Sequence, residues 1–119
     1  MDELTRKVEL QIIEHFGEKA QIIKAIEELS ELIKELAKTI NGQGDILSIA
    51  EEMADVHVML TQLQIIFDID EHVIERIFSE KINRTLKRIK RSEEGCKKRK
   101  EGSANSNISR KKRLTIYAT

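Results

Sequence analysis

Two pairs of carboxylates carry the strongest chemical signal in this chain. Glu28-Leu29-Ser30-Glu31 and Glu52-Met53-Ala54-Asp55 each place two acids three residues apart. On a helix such residues are neighbours on one face. Single pairs of this kind also occur on solvated helix faces, so the signal lies in two pairs that can meet. Four carboxylates brought to one point repel one another. A hard divalent cation resolves that repulsion, and Mg²⁺ with oxygen ligands is the usual choice. A cation held this way with open positions suits phosphate ligands, because it bridges their oxygens and activates water for in-line attack. Further along, Lys81, Arg84 and Arg88 recur at helical spacing and suit a polyphosphate.

The elements that must position these groups are helices. Leu4, Val8, Ile12 and Phe16 form a stripe at steps of four, with Gly17 placed as a left-handed C-cap. A second helix is expected from Glu18 to Ile40. Its Ile22, Ile26, Leu29, Ile33, Leu36 and Ile40 alternate steps of four and three, a seam suited to packing against another helix. Asn41-Gly42-Gln43-Gly44 ends it. Asp45 is the expected N-cap of a third helix from Ile46 to Phe67. That helix is apolar on most sides, which predicts a central, buried element. Asp70 caps a fourth helix expected over Glu71–Arg91. The connection between the second and third helices is short, so they form an antiparallel hairpin. Glu28 and Glu31 lie 13 and 10 residues before Asn41, and Glu52 and Asp55 lie 7 and 10 after Asp45, a comparable height. On a helical wheel Glu31 falls nearly opposite the apolar seam and Glu28 on its flank. Metal ligation there requires another helix over that face, such as one from a second subunit.

Composition narrows the function classes. The chain has 119 residues, 21 Lys+Arg and 21 Asp+Glu, for a net charge of zero. The balance hides an asymmetry: residues 1–80 sum to −11 and residues 81–119 to +11. With no Trp and only Phe16, Phe67, Phe78 and Tyr117, a stacking surface for single-stranded nucleic acid is not expected. Alternating β patterns are missing, which excludes a sandwich or barrel. No apolar run reaches the length of a membrane span, and Met1-Asp2-Glu3 lacks a signal-peptide pattern. Cys96 is the only cysteine, so a reducing, cytoplasmic location is expected. Residues 92–119 read as a flexible basic tail with clusters Lys97-Lys98-Arg99-Lys100 and Arg110-Lys111-Lys112-Arg113 and a short strand-prone run, Leu114–Tyr117. Those clusters could contact nucleic-acid phosphates. A di-iron carboxylate bundle needs Glu-x-x-His, and Ile12, Ala54 and Ile69 stand three before His15, His57 and His72. The histidines are expected to be surface or packing residues, with His57 the one close to an acidic pair.

Motif order and spacing then resemble a known family. The segment from Phe16-Gly17-Glu18 through Gln21-Ile22-Ile23-Lys24 to Glu27-Glu28-Leu29-Ser30-Glu31-Leu32 resembles the first signature of MazG-like nucleoside triphosphate pyrophosphohydrolases. Glu51-Glu52-Met53-Ala54-Asp55-Val56 resembles their second. The run from Ile69-Asp70 through Lys81-Ile82-Asn83-Arg84 to Arg88-Ile89 resembles their last helix. The resemblance covers residues 1–91. It implies an all-α fold, a four-helix MazG-like bundle completed by homo-oligomerisation as dimer or tetramer. It implies hydrolysis of a nucleoside triphosphate to the monophosphate and pyrophosphate with Mg²⁺, for which Mn²⁺ substitutes. Carried over by position, Glu28, Glu31, Glu52 and Asp55 are the metal ligands, and Lys81, Arg84 and Lys24 meet phosphates. Glu27 and Glu51 orient water or are simply solvated. His57 resembles a histidine of the related phosphoribosyl-ATP pyrophosphatases, an alternative activity. The other alternative is a non-enzymatic helical dimer that binds nucleic acid through its basic end.

Overall fold

The computed structural model describes residues 1–102; Arg110–Arg113 and Leu114–Tyr117 lie outside them. Among the described residues there are four helices and no strand: α1 Glu3–Phe16, α2 Glu18–Ile40, α3 Ile46–Ile66 and α4 Glu71–Lys100. None is long and apolar enough to cross a membrane. The chain divides into two units, the first Met1–Glu75, the second beginning at Arg76.

Local chemistry sets the boundaries in the first unit. Asp2 caps α1 by accepting from the Thr5 N–H at 2.7 Å. Gly17 joins α1 to α2: its N–H donates to Ile13 O, and its carbonyl accepts from Gln21 N–H. Its backbone is at φ 92°, ψ 149°. That is an extended conformation open essentially to glycine, rather than the left-handed helical C-cap expected from the sequence. Gly42, at φ 77°, closes α2 with Gly42 N–H to Thr39 O and Gln43 N–H to Lys38 O, the paired bonds of a Schellman motif. Asp68, at φ 49°, holds the same position after α3, with Asp68 N–H to Ile65 O and Ile69 N–H to Gln64 O. Aspartate tolerates this conformation better than most residues. Asp45 caps α3 by accepting from the Ser48 N–H at 3.2 Å and hydroxyl at 3.0 Å. The Ser48 bonds hold the Asp45 carboxyl below its ordinary value.

The hairpin of α2 and α3 is the main packing unit, and α1 lies against both. Its inner face differs from the one that periodicity suggests. Buried residues are Ile13, Ala25, Val56 and Met59 together with polar Glu9, Gln21 and Gln62. The expected apolar stripes lie largely outside. Leu4, Val8 and Phe16 of α1 are exposed, as are Ile26, Leu29, Ile33, Leu36 and Ile40 of α2. On α3, Met53, Leu60 and Phe67 are exposed too, so the expectation that α3 is buried on most sides is corrected. The physical reason is that the three helices meet on mixed faces, where apolar Ile13, Val56 and Met59 and small Ala25 combine with polar Glu9, Gln21 and Gln62. On α2 the apolar seam is centred about a quarter-turn from Gln21, Ala25 and Glu28, and most of it stays outside that contact.

α4 continues nine residues past the expected end at Arg91, so Ser92–Lys100 is helix rather than tail. Its apolar pattern stops at Ile89, but Glu93 and Glu94 stand four residues before Lys97 and Lys98, the favourable order for helical ion pairs. Four cations in the last turn also complement the helix dipole. No residue of α4 is buried.

Candidate functional site

The carboxylates are set by the register of the hairpin. The turn Asn41–Asp45 is held closed by Gly44: a Cβ there would meet the Thr39 Cα at 2.7 Å, as well as the Thr39 hydroxyl. With the turn fixed, Glu28 comes level with Glu52 and Asp55. One carboxylate oxygen from each of these three side chains lies within 4.8 Å of the others. Glu28 and Glu52 are half-buried and Asp55 is exposed, so the group opens to solvent on one side.

Electrostatics register the crowding. Glu52 is pushed above the ordinary glutamate value, first by desolvation, then by the charges of Asp55, Glu28, Glu31 and Glu35. Lys24 partly relieves the excess charge. Its ammonium donates to Glu28 Oε1 at 3.0 Å, one turn away on α2. That bond, with the fields of Glu28, Glu27 and Asp55, raises the Lys24 pKa. Acidic groups do gather at protein surfaces without an ion, and here a lysine already supplies one positive charge. Three carboxylates nonetheless leave a net negative site that can take a cation.

The remaining expected residues are placed as follows. Glu31 is half-buried one turn beyond Glu28 and acts on Glu52 through its charge, but its carboxylate lies outside the three-oxygen group. Glu27 and Glu51 are exposed. The helix expected over the Glu28 face is α3 of the same chain, and Glu28 keeps only 14% of its side chain exposed. His57 is exposed and outside the group. His15 and His72 are exposed as well, His15 in an edge contact with Phe16. Lys81, Arg84 and Arg88 are exposed side chains of α4 in the second unit.

Sequence reasoning passed over several inner-face residues. Glu35 lies seven residues after Glu28, hence on the same helical side, and its carboxylate accepts from Lys38 Nζ at 2.9 Å. Gln21 lies seven before Glu28, and Gln62 three after Met59. Glu9 reaches from α1 to the Thr61 hydroxyl at 3.2 Å. That hydroxyl is also 2.7 Å from Val58 O and has a single proton to give. For Glu35, Gln21 and Gln62 the signal was seven-residue spacing from Glu28 and Asp55 rather than from the apolar stripe.

Comparison with family models, curated proteins and solved structures finds no match to this chain.

Proposed function

We propose that the protein is a MazG-like, Mg²⁺-dependent nucleoside triphosphate pyrophosphohydrolase that works as a homo-oligomer. The observation that carries this reading is the group formed by Glu28, Glu52 and Asp55, whose oxygens lie within 4.8 Å of one another across two helices. Mg²⁺–oxygen bonds of ~2.1 Å put ligand atoms at most ~4.2 Å apart, so a movement of about half an ångström closes the group on the ion. Glu31 is the adjacent fourth acid. The bound Mg²⁺ supplies charge neutralisation for the triphosphate and lowers the pKa of an attacking water. The protein's own part is to hold the carboxylates in register, keep the exposed side open to substrate and meet the phosphates with Lys24. With a cation held by Glu28, Lys24 would be released from that carboxylate and could meet a phosphate oxygen.

The exposed seams support the oligomer. Ile26, Leu29, Ile33, Leu36 and Ile40 continue a heptad-like pattern along α2, and Ile46, Met53, Leu60 and Phe67 repeat every seven residues along α3. A 3.5-residue repeat suits helix packing at about 20° in a bundle. A second copy offers the same stripes and covers them.

The test is a panel of canonical and modified nucleoside triphosphates, with phosphoribosyl-ATP, assayed for pyrophosphate in the presence of Mg²⁺ or Mn²⁺. Pyrophosphate release is expected, lost in Glu52→Gln and Asp55→Asn while helicity persists. Full activity in either variant overturns the site assignment. Phosphoribosyl-ATP as the sole substrate selects the related pyrophosphatase activity.

A further inference from the structure

The helical continuation of α4 to Lys100 changes what its cations can do. Residues 81–100 hold ten Lys and Arg against two Glu, a net of +8. In a helix of 3.6 residues per turn these charges are not spread evenly. Lys87, Arg88, Arg91 and Lys98 fall within about a third of the circumference, extending the line begun by Lys81 and Arg84. Phe78, Ile82, Leu86 and Ile89 fall on the opposite side. From Lys87 to Lys98 the stripe is about 17 Å long at 1.5 Å per residue. Gly95 lies in the same stripe, where a Cβ would meet nothing within 4 Å. No packing contact requires a glycine there, and its bare backbone lets a ligand approach closely.

We propose that this face of α4 binds the phosphate backbone of a nucleic-acid duplex without reading its sequence. Three features select that partner. The stripe sets Lys87, Arg88 and Arg91 together and Lys98 two turns further on, with Glu94 at its edge; such point and planar cations neutralise regularly spaced phosphates. It carries no aromatic side chain, so it offers no stacking platform for single strands. The cations also run on past the apolar residues: no large apolar side chain follows Ile89 up to Lys100, so this stretch has no apolar face to bury in a lipid surface. This activity is independent of the nucleotide site, because Lys87, Arg91 and Lys98 have no part in it.

The test is fluorescence anisotropy of a 20-base-pair DNA duplex with the full chain, as a function of salt. Four phosphate contacts give a log–log slope near −3.6, so binding weakens about 150-fold between 50 and 200 mM salt. Arg91→Ala with Lys98→Ala halves the slope, leaving about a 12-fold dependence. Lys97→Ala with Lys100→Ala removes the same charge from outside the stripe and changes the slope by less than one. The proposal is overturned if no duplex binding occurs at 50 mM salt. Equal effects of the two double variants, or loss of binding only when Arg110–Arg113 are changed to alanine, also overturn it. So does binding to vesicles of anionic lipid without binding to duplex.

Discussion

Ile33→Ala tests whether the bare seam of α2 is a subunit interface. Ile33 is 67% exposed in the single chain, near the centre of the seam. The substitution removes three carbon groups, each contributing about 0.8 kcal/mol when fully buried. Two-thirds of that area is available for burial by a partner, so the loss is about 1.6 kcal/mol per copy. In a two-fold interface the position occurs twice, giving about 3 kcal/mol, or roughly a 200-fold weaker dissociation constant. Alanine is a stronger helix former than isoleucine, so helicity by circular dichroism is retained and a change in mass cannot be blamed on unfolding. Sedimentation equilibrium over a concentration series reads the constant directly. Lys34→Ala, one residue on and about 100° around the helix, leaves it unchanged. A wild-type chain that is a monomer at tens of micromolar refutes the reasoning. So does an Ile33→Ala constant within twofold of wild type.

Other perturbations bear on the hairpin and its acids. Gly44→Ala forces a Cβ against the Thr39 backbone at 2.7 Å and should destabilise the fold by about 1–3 kcal/mol, read as a lower thermal midpoint; Thr39→Ala does not rescue it, because the clash includes the Thr39 Cα. Glu52 has a raised folded-state pKa, so the native chain binds this proton more readily than the unfolded chain. The Glu52 contribution therefore rises as pH falls from neutral towards the ordinary value of 4.5 and levels off below it. Thermal midpoints of metal-free wild type and Glu52→Gln over this range isolate the effect, and saturating Mg²⁺ suppresses it. Asp45 has the opposite sign: its lowered pKa gives stability that is present above 3.8 and lost as pH falls through the folded value. Asp45→Asn keeps the cap and removes this acid sensitivity, whereas Asp45→Ala lowers the midpoint at neutral pH.

The helices and the hairpin were legible because their signals are local. Gly17 and the Asn41–Gly44 turn fix the ends of α2 through backbone geometry, and the Asp45 carboxylate fixes the start of α3 by capping it. The convergence of Glu28 with Glu52 and Asp55 followed from counting residues on either side of a short turn. The inner face of the hairpin was not legible. Periodicity finds an apolar stripe but does not say which partner covers it, and within one chain the partner faces are those bearing Gln21, Ala25, Val56 and Gln62. The end of α4 was missed for a related reason. A helix that buries nothing has no apolar period to announce it, and Ser92–Lys100 shows only charge spacing. The zero net charge of the sequence conceals both an acidic group shared by α2 and α3 and a cationic helical face.

The most direct test of the catalytic account is ³¹P nuclear magnetic resonance of a triphosphate substrate incubated with the full chain and Mg²⁺. Cleavage between the α and β phosphates is expected, with pyrophosphate and nucleoside monophosphate appearing in equal amounts and neither forming with Asp55→Asn. Orthophosphate and nucleoside diphosphate as the products would contradict the account. An unchanged spectrum across the panel of triphosphates would also contradict it.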